Sequence, residues 1–413
     1  MDELTKVAHI MRRFVPEKWG GTESVVFNVS RELARQGIES PIFCTAMFSK
    51  SGIQTFLTVP VKRFCYLFPW FGLSQEAKEK LRLKGGSPLS LPLFFALLRE
   101  KNLSIIHTHV QHRLGGMART AARLKGIPFV VSIHGGHFTL PSEQAEKMAE
   151  PFRGKLEWGK VFGFLFGARR VLNDADAIIC VGENEYREVK RRYPLKHAFH
   201  VPNGVDVDRF AGADGAAFRA ACGFGPSERI VLCVSRIDYQ KNQMGLVRAF
   251  ARFAKNHPDH RLVLIGAVTV EDYHEQVLTE ISALGLESIV QIIPGLAPDD
   301  PLLPSAYKAA EMFALASRHE PFGIVILEAW AAGLPVVAHA VGGIPGFCTD
   351  RENALLVEPD NEPQLAEGMA ELAADAVLRA ALSKRAFGAV SSRYDWPVVV
   401  ARIREIYHRI LHD

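Results

Sequence analysis

The chain of 413 residues has no run approaching the roughly 18 consecutive uncharged apolar residues of a membrane-spanning helix. It also lacks a leader pattern: Asp2 and Glu3 stand where a secretory leader carries basic residues, so a cytoplasmic location is expected. Its six cysteines, Cys44, Cys65, Cys180, Cys222, Cys233 and Cys348, show no C-x-x-C spacing. Most fall in apolar runs that read as buried strands, which argues against a disulfide framework or a zinc site. Asp174-Ala175-Asp176 has the spacing of a metal motif, but it precedes a buried strand and reads as a helix end. No strand is followed by G-x-G-x-x-G, which disfavours a dinucleotide dehydrogenase. No basic run interleaved with aromatics resembles a nucleic-acid module, and short repeats and low-complexity tracts are absent.

The net charge of +4 hides an asymmetry. Residues 1–200 hold 30 Lys+Arg against 18 Asp+Glu, while residues 201–413 hold 19 against 27. Either the first half meets something anionic, such as a phospholipid surface, or the surface is simply unequal. The length suits two α/β domains of roughly 200 residues each.

The first half opens with an apolar strand, Val7 to Met11, a loop from Arg12 to Gly21, and an amphipathic helix from Thr22, with Val25, Val29 and Leu33 at four-residue spacing. Further strands are expected at Pro41 to Thr45, Ile105 to His109, Phe129 to His134 and Ala177 to Val181, with a helix at Gly115 to Leu124. Strands alternating with helices predict a parallel sheet covered on both faces. The pattern breaks at the turn Pro202-Asn203-Gly204 and restarts with strands at Ile230 to Val234, Arg261 to Ile265, Val290 to Ile293 and Pro335 to Ala338. Helices are expected at Met244 to Asn256 and Gly323 to Ala332. Val399, Ile403, Ile406 and Ile410 mark a closing helix. The division is therefore residues 1–202, 203–393 and a terminal helix over 394–413. Two doubly wound sheets of this kind bind ligands at their C-terminal strand ends.

Two constellations carry chemistry. In Glu320-Pro321-Phe322-Gly323-Ile324-Val325-Ile326-Leu327-Glu328, one carboxylate precedes a helix and the other lies more than a turn inside it, so both can face one long ligand. Free N–H groups around Phe322 and Gly323, at the positive end of the helix, suit a diphosphate. An ordinary capped helix with an acidic first turn is the competing reading of that spacing. In Ser235-Arg236-Ile237-Asp238-Tyr239-Gln240-Lys241-Asn242, the two cations directly follow a strand and can neutralise a leaving diphosphate. The competing reading here is a solvated basic loop.

Together these motifs resemble the retaining, metal-independent glycosyltransferases of family 4 (group 1), which have the GT-B fold. The turn VPNGVDVDRF at Val201 to Phe210 and Gly342-Gly343-Ile344-Pro345 add two more matches in order. The resemblance implies that Glu320 binds donor-sugar hydroxyls, Glu328 the ribose, and Arg236 and Lys241 the diphosphate. Ser235, Pro321, Phe322, Gly323 and Ile324 would complete the donor site, and the backbone at Pro294 and Gly295 would meet the base. In the first half, Trp19-Gly20-Gly21-Thr22-Glu23 resembles the family's glycine-rich loop, so Gly20 and Gly21 would face donor phosphate or acceptor. His134, in His134-Gly135-Gly136-His137, aligns with the active-site histidine near the donor sugar; His107 and His109 read as mainly structural. Gly346, where Glu is usual, puts one contact of the late loop in doubt.

The implied reaction moves a sugar from a UDP- or GDP-sugar to a hydroxyl of a glycan or lipid-linked acceptor, with no cofactor and no metal. A phosphorylase, in which phosphate replaces the acceptor, is the rival within the fold. A binding protein that has lost catalysis is the rival from another class. The aromatic segments Phe68-Pro69-Trp70-Phe71 and Val161 to Phe166 raise peripheral contact with an anionic membrane, although Val161 to Phe166 reads preferably as core.

Overall fold

The computed structural model describes residues 4–16, 20–83, 86–135, 138, 155–297 and 299–412. The chain forms two compact units, residues 1–202 with 399–413, and residues 203–398.

The sheet of the first unit has strands β1 (Val7–Arg13), β2 (Ile42–Thr45), β3 (Gly52–Phe56), β4 (Val59–Phe64), β5 (Ile105–Thr108), β6 (Phe129–Ile133), β7 (Ala177–Cys180) and β8 (His197–His200). Their order is β3-β4-β2-β1-β5-β6-β7-β8. All pairings are parallel, as the strand–helix alternation predicts, except β3 against β4, an antiparallel edge hairpin. The β3–β4 hairpin turns at Leu57, which sits at φ 52°. It escapes the apolar pattern because β3 is an exposed edge strand, whereas β4 alternates buried and partly buried residues as a one-sided strand does.

The second unit carries β9 (Arg229–Val234), β10 (His260–Ile265), β11 (Val290–Ile293), β12 (Met312–Leu315), β13 (Val336–His339) and β14 (Leu355–Val357). They are all parallel, in the order β11-β10-β9-β12-β13-β14. Ile230, Val231, Leu232, Leu262, Val263, Phe313, Ala314, Val336 and Val337 are fully buried, as strands covered on both faces must be.

The helices that matter below are α1 (Gly21–Arg35), α2 (Lys160–Leu165), α3 (Gln243–Ala254), α4 (Leu302–Ala309), α5 (Ile324–Ala331) and α6 (Trp396–His412). The apolar stripe Val399, Ile403, Ile406 and Ile410 of α6 is buried, and residues 399–413 cluster with the first unit. No helix among the described residues is long and apolar enough to cross a membrane.

Two expectations are corrected. Val161 to Phe166 is not core: α2 turns Phe162 and Phe166 inward and leaves Val161, Phe164 and Leu165 62, 86 and 64% exposed. A six-residue helix has two faces, and an all-apolar sequence does not say which is covered. Asp174-Ala175-Asp176 is a turn rather than a helix end. Asp174 gathers Arg119 at 2.6 Å and Arg170 at 3.0 Å, and Asp176 accepts the Phe129 N–H at 2.7 Å. Of the cysteines, Cys65 is exposed and Cys222 half-buried; the other four are buried.

Candidate active site

In a parallel sheet every strand leaves by the same edge. That edge of the second unit gathers Ser235 after β9, Gly266 after β10, Pro294-Gly295 after β11 and Ser317 after β12. The packing there is close: a Cβ built on Gly266 would stand 1.8 Å from the Ser235 carbonyl oxygen. Gly266 was not singled out from the sequence, since one glycine ending the apolar run LVLIG gives no local signal.

The loop after β9 is tied down before any ligand enters. Gln243 donates from its amide to Ser235 Oγ at 2.9 Å and to the Arg236 carbonyl at 2.8 Å. Asp238 accepts the Lys241 N–H at 3.1 Å. Asn242, at φ 53°, caps α3 by accepting from the Gly245 N–H. These constraints send the two cations to different partners. Arg236 lies 3.0 Å from Asp238 and is 45% exposed, whereas the Lys241 ammonium is largely buried and pairs with Glu320 Oε2. Lys241 and Glu320 are thus brought together directly, and Arg236 is not part of that contact.

The loop before α5 is cross-linked to the first. Arg318 donates its N–H to the Gln240 carbonyl, and the Gln240 amide donates to the His319 carbonyl, both at 2.9 Å. Ser317 approaches Glu320 Oε2 at 3.5 Å, while His339, kept neutral by burial, donates from Nδ1 to the Ser317 carbonyl at 3.2 Å. The paired glycines of the late loop now acquire a physical reason. A Cβ at Gly342, which sits at φ 57°, would fall 2.0 Å from the Glu320 carbonyl oxygen, and one at Gly343 would fall 2.4 Å from that of Pro321. The Gly343 N–H donates to the Glu320 carbonyl at 2.8 Å, so this loop buttresses the acidic one. Gly346 closes the short turn Ile344–Gly346.

Gly323 is the N-cap of α5 at φ 106°, a conformation open to glycine at little cost. The helix begins one residue later than expected, at Ile324. Among the described residues, no acceptor takes the N–H groups of Phe322, Gly323, Ile324 or Val325. They form a positive, donor-rich helix end beside the Lys241–Glu320 pair. Phe322 is buried and stacks on Phe347, which fixes the loop from below. Glu328, on the fifth helical residue, accepts from the Tyr307 hydroxyl of α4 at 2.6 Å, and burial raises the pKa of both groups. Gly295, which follows Pro294, lies beside Ala267 at φ 78°.

In the first unit, Gly20 caps α1 and Gly21 is its first residue. Glu23 reaches back to accept the Gly20 N–H at 3.2 Å and pairs with Arg13 at 3.4 Å. Trp19, Gly136 and His137 lie outside the described residues. His134 follows β6 and belongs to a group that sequence reading dispersed. His9 Nδ1 lies 2.9 Å from His109 Nε2, and His109 Nδ1 lies 2.8 Å from His134 Nε2. Beside them His107 is bonded to the Tyr407 hydroxyl at 2.6 Å and to Ser132 Oγ at 2.7 Å. Burial lowers the pKa of His9 to about 3 and of His134 to about 4, and holds His107 and His109 well below the ordinary histidine value. His9 was missed because a histidine inside VAHIM reads as one polar residue in a strand.

Comparison with known proteins bears on both units. The family model for Glycosyltransferase Family 4 matches residues 19–209, and that for Glycosyl transferases group 1 matches residues 216–388. The chain is 30% identical over 424 residues to a D-inositol 3-phosphate glycosyltransferase of Kineococcus radiotolerans, covering 95% of this chain and 91% of that one. It is 26% identical to a GDP-mannose-dependent monoacylated alpha-(1-6)-phosphatidylinositol monomannoside mannosyltransferase of Corynebacterium glutamicum, covering 78% and 80%. Among solved structures, Anabaena Alr3699/HepE in complex with UDP and glucose superposes with a TM-score of 0.72 at 18% identity, over 98% of this chain and 100% of that one. With both sheets, the full-length match and the family models in agreement, this chain belongs to glycosyltransferase family 4 and is a nucleotide-sugar glycosyltransferase of GT-B fold.

Proposed function

We propose that this enzyme takes a sugar from a UDP- or GDP-sugar and passes it, with retention of configuration, to a hydroxyl of a glycan or lipid-linked acceptor in cell-surface polysaccharide or glycolipid synthesis. The observation that carries the donor half is the Lys241–Glu320 pair beside the four open N–H groups at the start of α5. A diphosphate placed there receives backbone donors from Phe322 to Val325 and the Lys241 ammonium, while Arg236 swings from Asp238 to add a second cation. This is the countercharge that a divalent ion would otherwise supply. Glu320 then accepts from sugar hydroxyls and Glu328 from the ribose, with Ser235, Pro321, Gly323 and Ile324 lining the diphosphate and Pro294 and Gly295 the base. Gly20 and Gly21 are assigned to the donor phosphate or the acceptor, and His134 to the donor sugar.

The donor C1–O bond breaks with its electron pair passing to the phosphate, and the acceptor oxygen bonds C1 from the same face. The acceptor proton goes to a donor-phosphate oxygen, so no enzymic nucleophile is needed. Screening UDP-, GDP- and ADP-sugars by thermal shift, then measuring nucleotide release and the product's anomeric configuration by NMR, tests the proposal. Nucleotide release with an inverted product would overturn retention, and sugar-1-phosphate formation without free nucleotide would favour the phosphorylase reading.

A lipid-linked acceptor is favoured by one surface. The outer face of α2, with Leu156 and Phe71, exposes apolar side chains flanked by exposed Lys155, Lys160, Arg169 and Arg170. Phe71 is joined to this segment by its N–H bond to the Leu156 carbonyl at 3.0 Å and by its ring against Trp158. Exposed apolar area rimmed with cations fits an anionic bilayer surface. Peripheral contact at the inner face of the cell membrane is the corresponding location.

A further inference from the structure

The three imidazoles His9, His109 and His134 are linked nitrogen to nitrogen, and this linkage constrains protons. A neutral imidazole has one N–H and one lone pair, and the hydrogen bond at one nitrogen decides what the other can do. Burial keeps all three neutral. His109 uses both nitrogens, Nε2 toward His9 and Nδ1 toward His134, so it must donate through one and accept through the other. The two bonds therefore run in the same direction along the chain, and only two arrangements exist.

If donation runs toward His9, the last N–H is His9 Nε2. That atom is buried within a fully buried residue and has no partner. If donation runs toward His134, His9 donates from Nδ1 to His109 Nε2, and His109 donates from Nδ1 to His134 Nε2. His134 then carries its proton on Nδ1. Among the described residues His134 Nδ1 is likewise a buried atom without a partner, but the residue that carries it is only partly buried and follows the C-terminal end of β6, whereas His9 is fully buried. An orphaned N–H in a sealed core is the rarer and costlier outcome. The arrangement that avoids it places the spare N–H on His134, just past β6, in a residue that is not sealed in the core.

We propose that His109, seconded by His9, is a positioning residue that holds His134 as its Nδ1–H tautomer, so that His134 meets the transferred sugar as a hydrogen-bond donor to an oxygen and not as a proton acceptor. The inference rests on the assignment of His134 to the sugar made above. The backbone is built for it. His9 is in register with His107 across β1 and β5, and the His109 N–H is bonded to the Ile10 carbonyl at 2.8 Å, which sets the ring at the strand end. His107 closes the flank without joining the relay, because Tyr407 and Ser132 occupy its two nitrogens. His9, His107 and His109 also bring ring nitrogens within 4.8 Å of one another, the spacing of a cation site. In this geometry both nitrogens of His107 and of His109 are already engaged in hydrogen bonds.

The test reads the tautomer directly. Protein labelled with 15N-histidine, free of ligand, is examined by NMR, with His134→Gln used to assign the signals. The expected wild-type result is His134 protonated on Nδ1. His109→Leu, which removes both bonds, should return His134 to the Nε2–H form that predominates in water. His109→Asn, which keeps an amide near the Nδ1 position, should restore the wild-type form. Donor turnover should fall about ten- to a hundredfold in His109→Leu, the scale seen when a partner orienting a functional histidine is removed, with donor-nucleotide Kd unchanged, and recover in His109→Asn. Finding His134 on Nε2–H in the wild type, or a stoichiometric metal on these histidines, overturns the relay. Finding the Nδ1–H form together with full turnover in His134→Gln leaves the relay standing and overturns instead the assignment of His134 to the sugar.

Discussion

The two units are built alike, yet they solve the polar chemistry of their strand ends in opposite ways. In the first unit, in and just after β1, β5 and β6, lie neutral rings stripped of charge by burial: His9, His109 and His134 joined by hydrogen bonds, with His107 beside them bonded to Tyr407 and Ser132. In the second, the C-terminal edge of the sheet carries full charges held in pairs, Lys241 with Glu320 and Arg236 with Asp238. A neutral network can be sealed because it loses little solvation, whereas ions inside a protein need partners. The difference matches the proposed division of labour. Hydroxyl-rich sugar calls for oriented donors and acceptors, and a departing diphosphate calls for countercharge that is already in place.

The contrast breaks most visibly if the ionic side is dispensable. Lys241→Ala is expected to lower kcat by about 10²- to 10³-fold or more, the scale for losing one stabiliser of developing charge, while circular dichroism still reports a folded protein. Near-normal turnover would remove the clamp from the mechanism. Next in size is the buttress: Gly342→Ala places a methyl against the Glu320 carbonyl and should cost about 1–3 kcal/mol in stability, as overpacking does, seen as a lowered Tm with weakened nucleotide binding. Gly346→Ala, with no atom within 4 Å of the added Cβ, is the control that should leave both unchanged.

Acidification sharpens the comparison because the signs differ. His9 and His134 have folded pKa values of about 3 and about 4, below the ordinary 6.5. Their contribution to stability is therefore whole above pH 6.5 and drains away as pH falls toward those values. For His9 alone the loss at pH 5 is about 2 kcal/mol, since each pH unit below 6.5 is worth about 1.4 kcal/mol. Glu328, raised by burial, works the other way and gains stability as pH falls through its folded value. Denaturant titrations at pH 7 and pH 5 should show a net loss, and His9→Phe should reduce it. The smallest effect concerns the surface of α2. Phe164→Glu should weaken co-sedimentation with anionic vesicles by roughly tenfold, by placing a charge where an apolar ring met lipid, and should leave Tm and turnover on a soluble acceptor unchanged.

Most of this second unit was legible from the chain. Long apolar strands ending in Ser235-Arg236 or followed by Glu320-Pro321-Phe322-Gly323 announce both element and site, because a strand buried on both faces leaves an unbroken apolar run. What stayed hidden depends on partners distant in sequence. Gly266 matters only because Ser235 comes within contact, and Tyr307 because Glu328 faces it. The histidine relay joins His9 to His109 across 100 positions through sheet register, so those two read alone as ordinary strand residues and only His134 stands out. The exposed face of α2 was misjudged for a related reason: apolar composition reports the tendency to be buried, not the presence of something to be buried against.

The contact between Tyr407 and His107 also orders events in time. The first unit is made of residues on both sides of the second in sequence, and helix α6 supplies the hydroxyl that closes His107. During synthesis the second unit therefore leaves the ribosome entire before the first has all its parts. The unit with the paired charges can fold as soon as it emerges, while the unit with the histidines waits for the helix made after it.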